Sequence, residues 1–322
     1  MNENYLWDRS GPPDPEIERL ERLLAPLAHG GSPVIAMPAP RPRPWRAMAA
    51  IAAVVLLALA IPRTPISRPG GVTGWEIASV DGSARLGSED ARKWMPLRSG
   101  QALRTAGDSE LTLEDNDVGR LDLGPNSEMR AHDGRLELHR GRLHAFIWAP
   151  PRKFVVDTPS SRAVDLGCEY TLDVSPAGDG LLRVSMGWVA FEFDGHEAFI
   201  PAGARCITRK RTGPGIPYYE DAPAPLIDGV ASIERGDLSA LPLVLAAART
   251  RDGLTLWHLL TRVSPQDRGA VYDRFAQLIP LPAGVSRDGA IAHDRDTIDR
   301  LWDALDLENT GWWRGWERHW SK

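Results

Sequence analysis

Cysteine is scarce in this chain of 322 residues: there are two, Cys168 and Cys206. No cysteine therefore stands in the segment before residue 46 to build a His-x-x-x-Cys-x-x-Cys zinc site, and His29 is the lone histidine of that segment. A basic surplus is missing as well. Lysine and arginine number 38 against 43 aspartates and glutamates, a formal net charge of −5, so direct nucleic-acid binding has no electrostatic support. No Gly-x-Ser-x-Gly, Walker loop or Gly-x-Gly-x-x-Gly opens a helix after a strand. Without an activated nucleophile or acid–base pair the chain reads as a non-enzyme, with no catalytic residue, no metal ligand set and no cofactor.

Long uncharged runs are rare too, with one exception at residues 47–61 (Ala-Met-Ala-Ala-Ile-Ala-Ala-Val-Val-Leu-Leu-Ala-Leu-Ala-Ile). As a helix the run measures roughly 22 Å, short of the ~30 Å hydrocarbon core. Trp45 and the uncharged Thr64-Pro65-Ile66-Ser67 can lengthen it, and Arg46 and Arg63 can snorkel. A globular amphipathic helix would carry a polar face, and this run has none. It is read as a single transmembrane helix over 46–62. Arg41, Arg43 and Arg46 before it, against Arg63 and Arg68 after it, favour a cytoplasmic N-terminus. Ala58-Leu59-Ala60 has the small-x-small form of a cleavage site, but an acidic helix ahead of the run is foreign to a signal peptide.

That helix opens at Asp14-Pro15-Glu16, with Asp as N-cap, Pro in the first turn and acids against the dipole. Ile17, Leu20 and Leu24 then share one face with Leu23 beside them, until Pro26 ends it. A helix this short is marginal alone, so it packs against Tyr5-Leu6-Trp7 or a partner. Residues 1–29 form one short helical segment, and the Pro-rich stretch 30–45 is an extended linker.

Past a second linker at 63–74, strand-like runs recur: Trp75–Val80, Ala102–Thr105, Glu110–Leu113, Gly119–Leu123, Ser127–Ala131, Arg135–His139 and Arg142–Trp148. Glycines punctuate them, the pattern of an all-β sandwich or solenoid-like stack over 75–209. The exposed edges of such a stack can recruit a further strand. His139 and His144 read as ordinary histidines, and Glu114, Asp115, Asp117 and Asp122 as a solvated acidic turn, since no cation loop is complete. Lys210 onward reads as a Pro/Gly-rich linker over 210–229. The period then changes to 3.6 along Leu238–Ala248, Leu254–Val263, Gln266–Leu278 and Thr297–Leu305, a C-terminal helical domain over 230–322. Trp302, Trp312, Trp313, Trp316 and Trp320 close its apolar face or offer stacking surfaces for a sugar or peptide.

The densest patterning lies at 154–206. Phe154-x-Val156-x-Thr158 is followed by Ala163-x-x-Leu166-Gly167-Cys168-x-Tyr170-x-Leu172-x-Val174, then Leu182-x-Val184-x-x-Gly187-x-Val189 and Ile200-Pro201-Ala202-Gly203. This stretch resembles the signature of the FecR family, bacterial single-pass regulators of extracytoplasmic-function sigma factors. The family usually has Thr where Cys168 stands, while Tyr170 keeps the aromatic. The N-terminal Leu6-Trp7-Asp8 and Asp14-Pro15-Glu16 resemble the opening of some membrane-anchored regulators of this type. Leu254-Thr255-Leu256-Trp257-His258-Leu259-Leu260 resembles a tail found on them.

The resemblance implies a multidomain, mainly β chain with a FecR-type β-solenoid or sandwich-like domain, one transmembrane helix and a C-terminal α-helical domain. It implies the bacterial inner membrane, with the β and helical domains periplasmic. The sigma factor would be met in the cytoplasm by Leu6, Trp7, Ile17, Leu20, Leu23 and Leu24, without zinc. Further partners would be membrane lipid and a periplasmic or outer-membrane protein. Phe154, Thr158, Gly167, Cys168, Tyr170, Gly187 and Gly203 would be structural. For Cys168 and Cys206 two readings stand, a disulfide in an oxidising compartment or two buried thiols. The alternative function is a membrane-anchored periplasmic binding module for glycan or an envelope protein.

Overall fold

The structure is a computed structural model that describes residues 19, 72–132 and 135–307. The chain separates after Ile66, and apart from Arg19 all that is described lies in the unit Ser67–Lys322. The expected membrane span at 46–62 and the helical segment 1–29 therefore fall outside the described residues. Among these, no helix is long and apolar enough to cross a membrane.

The strands form two sheets. The first runs β4 (Pro96–Arg98), β1 (Val72–Asp81), β6 (Glu110–Asp115), β7 (Gly119–Leu123), the second half of β9 (Arg135–Ile147), β12 (Glu169–Val174), β13 (Gly180–Met186) and β16 (Ala204–Arg209). β17 (Gly213–Pro214) and β18 (Tyr218–Tyr219) both pair with β16. The second runs β3 (Glu89–Asp90), β2 (Ala84–Leu86), β5 (Ala102–Thr105), β8 (Glu128–His132), the first half of β9, β10 (Val155–Asp157), β11 (Arg162–Asp165), β14 (Trp188–Phe193) and β15 (His196–Pro201). Neighbours are antiparallel except β9 and β10. The chain thus winds back and forth between two layers and closes no barrel. Alternate side chains of both sheets, such as Leu121 and Leu123 or Met129 and Ala131, join one continuous buried cluster.

β9 belongs to both sheets because it bends at Gly141, whose φ is +98°. A Cβ there would overlap Ser127, and the Ser127 hydroxyl accepts the Arg142 N–H at 3.0 Å. Only glycine allows that approach. What the sequence suggested as two strands is one strand with a pinned corner.

Residues 210–229, expected as a linker, instead carry β17, β18 and the start of α1 (Ala224–Glu234). Pro223 and Pro225 begin that helix, where a missing N–H costs nothing. α2 (Leu241–Ala247), α3 (Gly253–Leu260), α4 (Pro265–Leu278), α5 (Arg287–Ile291) and α6 (Arg295–Asp303) follow. All of α3 is buried, as expected of a helix apolar all round. The buried residues of sheets and helices form one cluster, so the helical part is built onto the β part.

Little free edge is left for strand recruitment among the described residues. β3, β4 and β18 are two or three residues long. On β15 the Phe199 N–H is accepted by His258 Nε2 of α3 at 3.1 Å.

Candidate functional site

The motif residues meet where the chain passes from one sheet to the other. Gly167 (φ +85°) links β11 to β12, Gly187 (φ +70°) links β13 to β14, and Gly203 (φ +77°) lies between β15 and β16. The three crossings are stitched together. A Cβ on Gly187 would collide with the carbonyl oxygen of Gly167. Gly187 O accepts the Ala202 N–H at 2.9 Å, and the Gly203 N–H donates to Val184 O at 2.8 Å. Thr158 Oγ1 accepts the N–H groups of Ser160 and Ser161 at 3.2 and 3.0 Å, closing the turn between β10 and β11. Phe154 packs its ring 5.6 Å from Trp75, tying β1 to this corner.

Under the crossings sits a small polar core. Asp165, 1% exposed, accepts the Gly167 N–H at 2.8 Å and the Cys168 thiol. Burial raises its carboxyl to about 6, against the lowering effect of those two hydrogen bonds. Burial also pushes the Cys168 thiol and the Tyr170 phenol up. The Tyr170 hydroxyl is buried without a hydrogen-bond partner among the described residues. Cys168 thus serves as a side-chain donor to Asp165.

Cys168 and Cys206 are free, which corrects the disulfide reading. Leu172, Leu182 and Cys206 lie in one row across β12, β13 and β16. Cys168 immediately precedes β12, four residues before Leu172 of that row. Two strand spacings and about four residues of rise place the pair on the order of 16 Å apart, far beyond the ~7 Å a bridge spans. Burial pushes the Cys206 thiol above its ordinary range, so neither sulfur is a thiolate near neutral pH. Both should stay inert to an aromatic disulfide reagent in the native protein and titrate as two thiols once unfolded. Rapid native labelling of either would contradict the burial.

Other tempting groups disperse. His139 and His144 fall on opposite sides of the Gly141 corner, beside Glu137 at 3.5 Å and Glu169 at 3.2 Å. Asp115 accepts the Asp117 N–H at 2.9 Å, and Asp122 pairs with Arg120 at 3.1 Å. Among the described residues no cluster of His, Cys, Asp or Glu is set to hold a metal. Leu6, Trp7, Ile17, Leu20, Leu23 and Leu24, with the final four tryptophans, lie outside the described residues.

Two features were missed in the sequence. The first is an outward aromatic pair on β9 and just past it, Phe146 and Trp148, 41% and 50% exposed with ring centroids 5.9 Å apart. Met186 shares the row of Phe146 across β12 and is also exposed. The second is the seam of helices and sheet. His258 Nδ1–H donates to Leu254 O at 2.8 Å, which fixes Nε2 as the acceptor for Phe199 N–H. Beside it Trp302 lies 4.6 Å from Trp257, 5.5 Å from Phe199 and 6.0 Å from Trp188. A histidine inside an otherwise apolar helix was the available signal.

No family model matches the chain, and no curated protein does. Two crystal structures of a candidate anti-sigma factor from Parabacteroides distasonis are similar to it, each at 14% identity and a TM-score of 0.33. The likeness covers 41% of this chain and 64% of theirs, just under two thirds of that protein's length.

Proposed function

We propose that the chain is a FecR-like single-pass regulator of an extracytoplasmic-function sigma factor, with its N-terminal segment in the cytoplasm and the two-sheet unit in the periplasm. The observation that carries this reading is the resemblance at 154–206, whose glycines are the residues the crossings require. A signature that encodes three interlocked sheet crossings is hard to match by composition alone. The apolar run at 47–61 supplies the span, and the Ile17, Leu20, Leu24 stripe the surface for a partner's groove. The regulator is then a two-state device: an outside contact favours one state of the periplasmic part and shifts the cytoplasmic helix between holding and releasing the sigma factor.

Replacing Leu20 and Leu24 together by Asp should change output from a sigma-dependent promoter by roughly 5–150-fold, the usual range of such coupling. A crosslinking pull-down from membranes, comparing the full chain with one lacking residues 1–44, should recover a sigma factor only with the former. If neither recovers one, and both recover glycan or an envelope protein, the chain is an anchored binding module. The outward Phe146–Trp148 pair is the feature that favours that second reading.

A further inference from the structure

Between the last strands and the helices lies a pocket of about 190 Å³, and its chemistry is lopsided. Arg209 at the end of β16, Arg262 just past α3 and Glu234 at the end of α1 line it. Glu234 is already engaged: its Oε1 accepts the Ile216 N–H at 2.7 Å. Arg262 donates through Nη1 to Pro214 O at 2.8 Å. Its Nη2, and Nε of Arg209, are buried without a hydrogen-bond partner among the described residues. A guanidinium offers five N–H donors, and leaving them desolvated and unpaired is costly. The rest of the wall holds Thr212 and the apolar side chains of Ile207, Ile233 and Leu238.

We propose that this pocket binds a small monocarboxylate with a short apolar body. Two guanidinium groups against one carboxylate leave one positive charge in excess, which matches a monoanion. Arginine N–H groups donate to carboxylate oxygens in strong charge-assisted bonds, here from Arg262 Nη2 and Arg209 Nε, and the isoleucines face the remainder of the ligand. The volume is below the ~300–1,000 Å³ of drug-sized sites, so the occupant has on the order of ten non-hydrogen atoms or fewer. Burial lowers the Arg262 pKa from its ordinary value, consistent with a cation held out of water until an anion arrives. The site joins β16, β17, α1 and the segment after α3, so an occupant ties helices to sheet.

The test is calorimetric titration of the purified full-length chain with hexanoate, acetate, inorganic phosphate and hexylammonium. Hexanoate should bind saturably and at least tenfold more tightly than acetate or phosphate, and hexylammonium should not bind. Arg262→Gln should weaken hexanoate at least tenfold. Leu238→Glu should do the same by setting a carboxylate at the rim; this position is 45% exposed, so it keeps the test decisive should the arginine variant misfold. Absent hexanoate binding, equal binding of hexylammonium or phosphate, or unchanged affinity in Leu238→Glu would overturn the assignment.

Discussion

Replacing Trp302 by alanine should destabilise the folded unit by about 3–5 kcal/mol, the range for large aromatics removed from a core. For a unit of this size that corresponds to a fall in Tm of about 6–20 °C. The side chain is 2% exposed, and a buried aromatic removes ~150–250 Å² from water. The cavity left behind cannot collapse easily, because its walls belong to different elements. Trp257 is on α3 and Phe199 on β15, with Trp188 on β14. Trp257 is itself held by a hydrogen bond from Nε1 to Ile298 O at 2.9 Å. The informative comparison is Trp94→Ala: that ring is 70% exposed, and its loss should stay within about 0.5 kcal/mol. Thermal unfolding of both variants would decide. Equal midpoints, or a separate early transition for the helices in the parent chain, would mean that the helical part does not depend on the sheets.

That outcome bears on what could be read in advance. Strands with room for alternation were legible: Ala102–Thr105 and Gly119–Leu123 coincide with β5 and β7. β2, β3 and β4 are too short to show a period of two, and they passed unseen. Helix α1 was hidden by its prolines, which serve as a start signal as readily as a tether. The glycines at 167, 187 and 203 were visible as punctuation, but that Gly187 packs on Gly167 and accepts from Ala202 depends on the order in which sheets are wound. The cysteine pair had the same difficulty, since spacing along the chain says nothing about register. Wide apolar faces on the helices announced burial without naming the partner, which is why Trp302 was expected to close the face of the helical domain rather than to meet Phe199 and Trp188 of the sheet.

The seam also predicts an opposed response to acid. Burial depresses the His258 pKa to about 3 from the ordinary 6.5, so the folded state holds a neutral ring that accepts the Phe199 N–H. The unfolded chain takes up a proton below ~6.5, and stability is therefore lost as the pH falls from 6.5 toward 3. Asp165 acts the other way. Its carboxyl is raised to about 6 from 3.8, so between those values the folded state keeps a proton that the unfolded chain has released. Its contribution is fully present below 3.8 and is lost as the pH rises through 6. At ~1.4 kcal/mol per pH unit, the histidine is worth up to about 4–5 kcal/mol and the aspartate up to about 3 kcal/mol over their full windows. In the parent chain they nearly offset between pH 6 and 4.5, with the histidine slightly ahead. Asp165→Asn should therefore steepen the acid loss measured by denaturant midpoints, whereas His258→Gln, which retains an acceptor toward Phe199, should reverse its sign. The reversal should end near pH 4, where Glu128 and Asp273, each lowered first by the hydrogen bond from an arginine, begin to lose their partners. Parallel pH profiles for the two variants would show that these buried groups do not set the acid response, because no common effect of substitution can make one slope rise while the other falls.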